Sequence, residues 1–216
     1  LLSLALVGAG SGAAGAAEAT DGPTSAAWGA AWLDAQLETG TPLVPFGPPD
    51  WGTTLDATLS LAAVEGFDDR TAAVWAAIEA DRDDVVTASG ADVPGRLAQA
   101  ILLAIAIGED PTAVGAGPGD DLVARLSATR ATAGPDEGRY GSQDATWDGA
   151  YRQGLSIVAL TAAGATPDPT SVAWLVDQQC ADGSWMPYRA DTSVACAFDG
   201  TLFVGPDSNS TASALG

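Results

Sequence analysis

Trp174-Leu175-Val176-Asp177-Gln178-Gln179-Cys180-Ala181-Asp182-Gly183-Ser184-Trp185 reads as a helix that ends in a glycine turn sealed by a tryptophan. Its first half recurs upstream: an aromatic residue or Leu, three residues, then a polar stem. The copies are Trp32/Gln36, Trp75/Glu79, Leu126/Arg130 and Trp174/Gln178, spaced by 43, 51 and 48 residues. A period of this size is the mark of stacked supersecondary units, none of which buries its apolar face alone. The stretch therefore predicts a repeat protein.

Composition bounds the rest. Nearly half of the 216 residues are apolar, with abundant Ala and few aromatics. Ala has the best helix propensity, so Ala-rich segments broken by Gly and Pro predict closely packed helices. The formal charge is −20, and all basic residues are Arg. Nucleic acid and anionic membrane surfaces need basic contacts, so neither is an expected partner. The acidic bias fits a salty or cation-rich exterior, and equally a GC-rich genome. The chain has no His. Ser-His-Asp and Cys-His nucleophile systems are excluded, as are His-containing zinc sites. A general acid or base must be a carboxylate, Tyr or Cys, and no metal or cofactor is expected.

Leu1 to Ala19 reads as the remainder of a secretory signal: an apolar run over Leu1–Val7, then small residues with Ala-x-Ala options from Ala14. Residues 20–216 form the folded domain. In an exported chain Cys180 and Cys196, with 15 residues between them, form one disulfide or remain two buried thiols. Closing that loop is worth about 3 kcal/mol in the chain-entropy description.

Taken in order, eight helices are predicted. The first spans Ala26–Glu38, with Trp28, Trp32, Leu33 and Leu37 on one face. Asp50 caps the second, Trp51–Glu65, which Gly66 closes. The third runs from Asp69 to Ala88, and the fourth, Gly95–Ile107, follows Asp92 and Pro94 and stops at Gly108. The fifth spans Asp120–Thr129, the sixth starts at Asp144 and runs to Ala163, and the seventh covers Pro169–Cys180. Asp207 caps an eighth that is incomplete at Gly216. Half-polar helices alternate with helices apolar nearly all round, which belong in the interior. No strand pattern emerges. The fold class is all-α: about four helix hairpins in two concentric rings.

Trp174-x3-Gln178-x4-Gly183-Ser184-Trp185 resembles the QW motif of squalene and oxidosqualene cyclases. Those enzymes share an α/α toroid with protein prenyltransferase β subunits and, more distantly, with cobalamin carriers. In the motif a Gln caps one helix and bonds near the Trp of the next turn. Leu126, Arg130, Gly138 and Tyr140 make a degenerate copy, and Trp32, Gln36 and Gly40 a half-copy. The chain is similar overall to secreted prenyltransferase/squalene-oxidase-repeat proteins of actinobacteria, which implies a toroid that continues past Gly216 and no established catalysis.

Two sets of acidic residues are candidate sites. Asp81-Arg82-Asp83-Asp84 matches the Asp-x-Asp-Asp string of class II terpene cyclases. There the middle carboxyl, here Asp83, would be the acid, supported by Asp81 and Asp84. An acid of that kind is kept protonated by an apolar enclosure. The string lies on an outer-type helix, however, where a solvated acidic face is the simpler account. The second set stands at the starts of the apolar helices: Asp50, Asp92, Asp144 and Asp207, with Trp51 and Trp147 nearby. Each Asp is an N-cap on its own, and together they make an acidic rim. The leading expectation is a secreted, non-catalytic module binding a small hydrophobic or corrinoid-like ligand, or an extracellular partner, at that rim. A squalene-hopene-like cyclase and a structural cell-surface module are the alternatives.

Overall fold

The computed structural model describes residues 25–38, 42–45, 47–115, 120–141, 148–201 and 204–216. Among them are nine helices: α1 (Ser25–Glu38), α2 (Trp51–Ala62), α3 (Asp68–Ala80), α4 (Arg82–Val86), α5 (Pro94–Ile107), α6 (Leu122–Ala128), α7 (Ala150–Ala162), α8 (Pro169–Asp177) and α9 (Ser208–Leu215). The one regular sheet among these residues is a hairpin of β1 (Thr87–Ala88) and β2 (Ala91–Asp92). The chain is mostly helical, as its composition predicts.

Alternate helices form a row. α5 packs on α2 and α7, and α7 packs in turn on α9. The remaining longer helices lie against this row: α1 and α3 on α2, α6 on α5, and α8 on α7. Of the apolar side chains that predict interior helices, Leu55, Leu61, Leu97, Ile101 and Leu103 are fully enclosed together with Ile78, Leu122 and Leu126, whereas Ile105 is 37% exposed. A smaller cluster of Ala150, Trp174, Leu175 and Trp185 seals the α7–α8 end. Small residues set the spacing. Gly154 of α7 lies directly against the Ser213 carbonyl of α9, so that a Cβ there would overlap it.

The row is stitched by one recurring hydrogen bond. Four residues after the N-cap of α2, α7 and α9 stand Thr54, Gln153 and Thr211. Each accepts the backbone N–H of a residue in the loop leading to its helix: Leu43 at 2.8 Å, Tyr140 at 2.8 Å and Trp185 at 3.0 Å. The two threonine hydroxyls donate back to the carbonyls of Asp50 and Asp207. Gln153 uses its amide N–H groups on the carbonyls of Gly138 and Ser171 instead.

Several boundaries differ from the sequence reading. The third predicted helix breaks at Asp81, whose carboxylate accepts the Asp84 N–H and restarts the chain as α4. The β-branched run Val85-Val86-Thr87 then enters the hairpin, turning at Ser89-Gly90 with φ of 52° and 77°. Positive φ at both turn residues matches the right-handed twist of a two-residue hairpin, so a strand pair exists where none was expected. The cap of α5 is Val93, not Asp92, and α6 starts at Leu122 after its cap Asp121 rather than at Asp120. α7 starts at Ala150 after Gly149, whereas Asp144 and Trp147 lie outside the described residues. So do Leu1 to Ala19 and Gly40.

The first copy of the repeated mark also fails. Trp75, Leu126 and Trp174 are buried, but Trp32 is 63% exposed and Trp28 66%. α1 packs through Ala30, Leu33 and Leu37, and both indoles fall off that stripe.

Candidate functional site

The Asp-x-Asp-Asp string is spent on local structure. Asp81 caps α4. Asp83 is 69% exposed in its side chain and meets the Arg125 guanidinium at 2.7 Å. Asp84 accepts the indole N–H of Trp51 at 2.8 Å. Arg82 pairs with Asp120 at 2.5 Å. This setting is open and ion-paired, unlike the apolar enclosure that an alkene-protonating carboxyl needs.

The predicted rim is divided. Asp50 accepts the N–H groups of Gly52 and Thr53 together with the Thr53 hydroxyl. Burial pushes its carboxyl up, but these hydrogen bonds and the charge of Arg96 outweigh it, leaving the pKa below the ordinary value. Asp207 caps α9 through the Ser210 N–H. Asp92 is held by Arg125 at 2.5 Å in an ion pair, and Val93, one residue on, occupies the cap position of α5 without a side-chain hydrogen bond. Trp51 is buried with its N–H on Asp84, so it packs inward rather than lining a surface.

A different trio converges at this end of the row. Gln99 of α5 donates to Asp56 Oδ1 at 2.5 Å and to the Gly52 carbonyl at 3.4 Å, so the first turns of α2 and α5 lie side by side. Gly95 of α5 packs on the Arg152 side chain, bringing in the first turn of α7. There Tyr151 is exposed, and its pKa is raised first by burial and then by the nearby Asp56 charge. The Asp56 pKa is raised as well: crowding by the flanking helices dominates over the Gln99 hydrogen bond, and Asp50 adds repulsion. Asp56 and Gln99 thus join α2 to α5, and Tyr151 of α7 lies near enough for the Asp56 charge to act on it. The sequence reading missed all three. Only Gln99 carried a signal, as a polar side chain in the middle of the largely apolar α5.

The opening motif forms a joint. Gln178 is buried at the C-cap of α8, accepts the Arg189 N–H at 2.6 Å and donates to the Arg189 carbonyl at 3.3 Å. The Trp185 indole donates to the Leu175 carbonyl at 2.8 Å, satisfying an acceptor in the last turn of α8. Gly183, at φ 88°, makes the turn between them. The Arg189 guanidinium donates to the carbonyls of Asp177, Gln179, Thr192 and Val194, which puts a positive charge at the negative end of α8. Cys180 and Cys196 form a disulfide that ties the following loop to this joint. Backbone bridges pair Gln179 with Trp185 and, in the degenerate copy, Arg130 with Tyr140.

No protein-family model matches the chain, and no curated protein or solved structure does. Among the described residues, no cluster of His, Cys, Asp and Glu is arranged to hold a metal ion, and no helix is long and apolar enough to cross a membrane.

Proposed function

We propose that this chain is an exported, non-catalytic binding module of the α/α-toroid type, taking a small ligand at the edge formed by α2, α5 and α7. The supporting observation is the Gln99–Asp56 hydrogen bond that joins α2 to α5, with the exposed Tyr151 of α7 within range of the Asp56 charge. A few convergent polar groups on a largely apolar scaffold are the usual makings of a ligand site. The disulfide favours an oxidising compartment, and the resemblance of the Trp174–Trp185 stretch to the QW motif favours the toroid. Fold alone implies no activity, so the reading rests on the site.

The test is native mass spectrometry of the full-length protein secreted by its own host, compared with its denatured mass. A discrete non-covalent adduct is expected, and Tyr151→Phe combined with Asp56→Asn should abolish it. A bare wild-type protein would remove the support for a carrier. A second reading, acid catalysis of the cyclase kind, is favoured by one observation only. The Asp56 pKa is raised, first by burial between the helices. Turnover of a polyprenyl substrate that disappears in Asp56→Asn and survives in Asp83→Asn would establish it.

A further inference from the structure

The helices laid against the row obey one rule, with α1 the exception. α3 packs chiefly on α2, α6 on α5 and α8 on α7, each on the row helix that precedes it in the chain. α1 packs on α2, which follows it. Aligned on the repeated mark, the buried face of α3 is Thr71, Val74, Trp75 and Ile78, and its counterpart on α1 is Trp28, Ala31, Trp32 and Ala35. All four of the latter are exposed, because α1 packs through Ala30, Leu33 and Leu37 instead. Among the described residues of α1, no exposed side chain is charged, in a chain of net charge −20. An uncharged face carrying two exposed indoles marks a contact surface.

The other end of the row holds the converse. Where α8 sits on α7, its first turn meets two residues. Gly138 lies so close to the Thr170 carbonyl that a Cβ would overlap it, and Gln153 donates to the Ser171 carbonyl at 2.9 Å. One unit on, the motif places Gly183 where Gly138 stands, and Thr211 takes the place of Gln153, four residues after the cap of its helix. Around Gly183 the space is open: apart from its chain neighbours, no described atom comes nearer than 3.9 Å to the position of a Cβ. Asp182 and Ser184, which flank it, line a shallow trough of about 540 Å³ with Thr211, Ala212 and Leu215 of α9. Leu215 is 71% exposed.

We infer that two copies of this chain join head to tail, with the Trp28–Trp32 face of α1 in one copy seated on the α9 trough of the other. The contact continues from chain to chain the packing that α3, α6 and α8 make within it. α1 brings no charge to the trough, so Asp182 and Asp207 there meet no like charge. Two indoles bring about 300 Å² to bury, which suits a weak, reversible contact. Because the two surfaces differ, the contact is heterologous, and it leaves one free face at each end of a pair.

The test is sedimentation velocity of the full-length protein up to about 1 mM, in about 0.15 M salt to screen repulsion between acidic chains. Reversible growth beyond one chain is expected. Trp28→Ser combined with Trp32→Ser should weaken it at least about tenfold, and so should Ala31→Glu, which keeps both indoles. Ala212→Glu, on the trough, should weaken it as much. Mixed in equal amounts, the tryptophan variant and Ala212→Glu should recover a pair that grows no further, since the mixture keeps one intact α1 face and one intact trough. The mass of one chain at every concentration overturns the proposal. So does assembly that Ala212→Glu leaves unchanged, the sign of α1 faces meeting each other, or a mixture that recovers nothing.

Discussion

At the entrance to α7 the fully buried Gln153 holds the preceding loop by the Tyr140 N–H and the Gly138 carbonyl, and reaches forward to the Ser171 carbonyl of α8. At the entrance to α5 the same place is taken by Leu97, which is equally buried and offers no acceptor. There the backbone does the holding. The Val93 N–H bonds the Val86 carbonyl at 2.8 Å, the β1–β2 hairpin pairs Thr87 with Asp92, and Arg125 clamps Asp92 and Asp83 from α6. What repeats along the row is thus a connection rather than a residue. Where the side-chain acceptor is absent, the loop has become a hairpin able to satisfy itself.

The sharpest way to break the comparison is Gln153→Ala. Three buried backbone groups lose their partner, each costing about 1–3 kcal/mol, so chemical denaturation should show a loss of at least about 3 kcal/mol. A loss under about 1 kcal/mol would mean that the loop satisfies itself here too. Removing the Cys180–Cys196 bond should cost about 3 kcal/mol by loop closure. Denaturation with and without reductant reads this directly, and an unchanged midpoint would show that Arg189 and Gln178 hold the loop unaided. Leu97→Thr tests the comparison from the other side. It supplies the acceptor of α2 and α9, but the Val93 N–H is already bonded, so a loss of about 2–3 kcal/mol is expected from lost apolar volume and a buried hydroxyl. Stabilisation would show that α5 merely lacks the tie. Thr54→Val should cost about 1 kcal/mol by orphaning the Leu43 N–H.

The smallest effect is that of pH. Asp110, Asp168, Asp182 and Asp191 each accept the hydroxyl and N–H of the Ser or Thr two residues on, and these hydrogen bonds hold their pKa values below the ordinary range. A folded pKa below the unfolded one gives stability that is present above about pH 4 and is lost as pH falls through the folded value. Asp56 acts in the opposite sense, since its raised pKa makes its contribution adverse once it ionises. Denaturation midpoints should therefore fall below pH 4, and Asp56→Asn should gain slightly at pH 7 with no gain at pH 3. Equal gains at both values would contradict the assigned shift.

The sequence made the helical character and the buried faces legible because apolar periodicity is a local signal. Asp50 and Asp207 were legible as caps for the same reason: an N-cap bonds within its own first turn. Asp92 was not, because its partner Arg125 lies 33 residues away on α6. The β1–β2 hairpin hid behind a helix-like acidic run, although Val-Val-Thr followed by Ser-Gly carries its β-branched and turn chemistry. The recurring ties were half visible as Asp50-x3-Thr54 and Asp207-x3-Thr211. Gln153 follows a glycine cap and shares no letter with them. Trp32 misled in the opposite way: its spacing imitates the repeat, but only packing decides which side of α1 faces inward.

The recurring tie has a consequence for how such a chain grows. Each loop is fastened by the helix that immediately follows it, at separations of 11, 13 and 26 residues. No fastening bond in this series has to wait for a distant part of the chain to be synthesised. A hairpin copied together with its loop would arrive with its own clasp, and units related only to their neighbours can be gained or lost singly. Gene duplication would then lengthen the row without redesigning it, leaving each inherited joint free to change its residues so long as one acceptor meets one N–H.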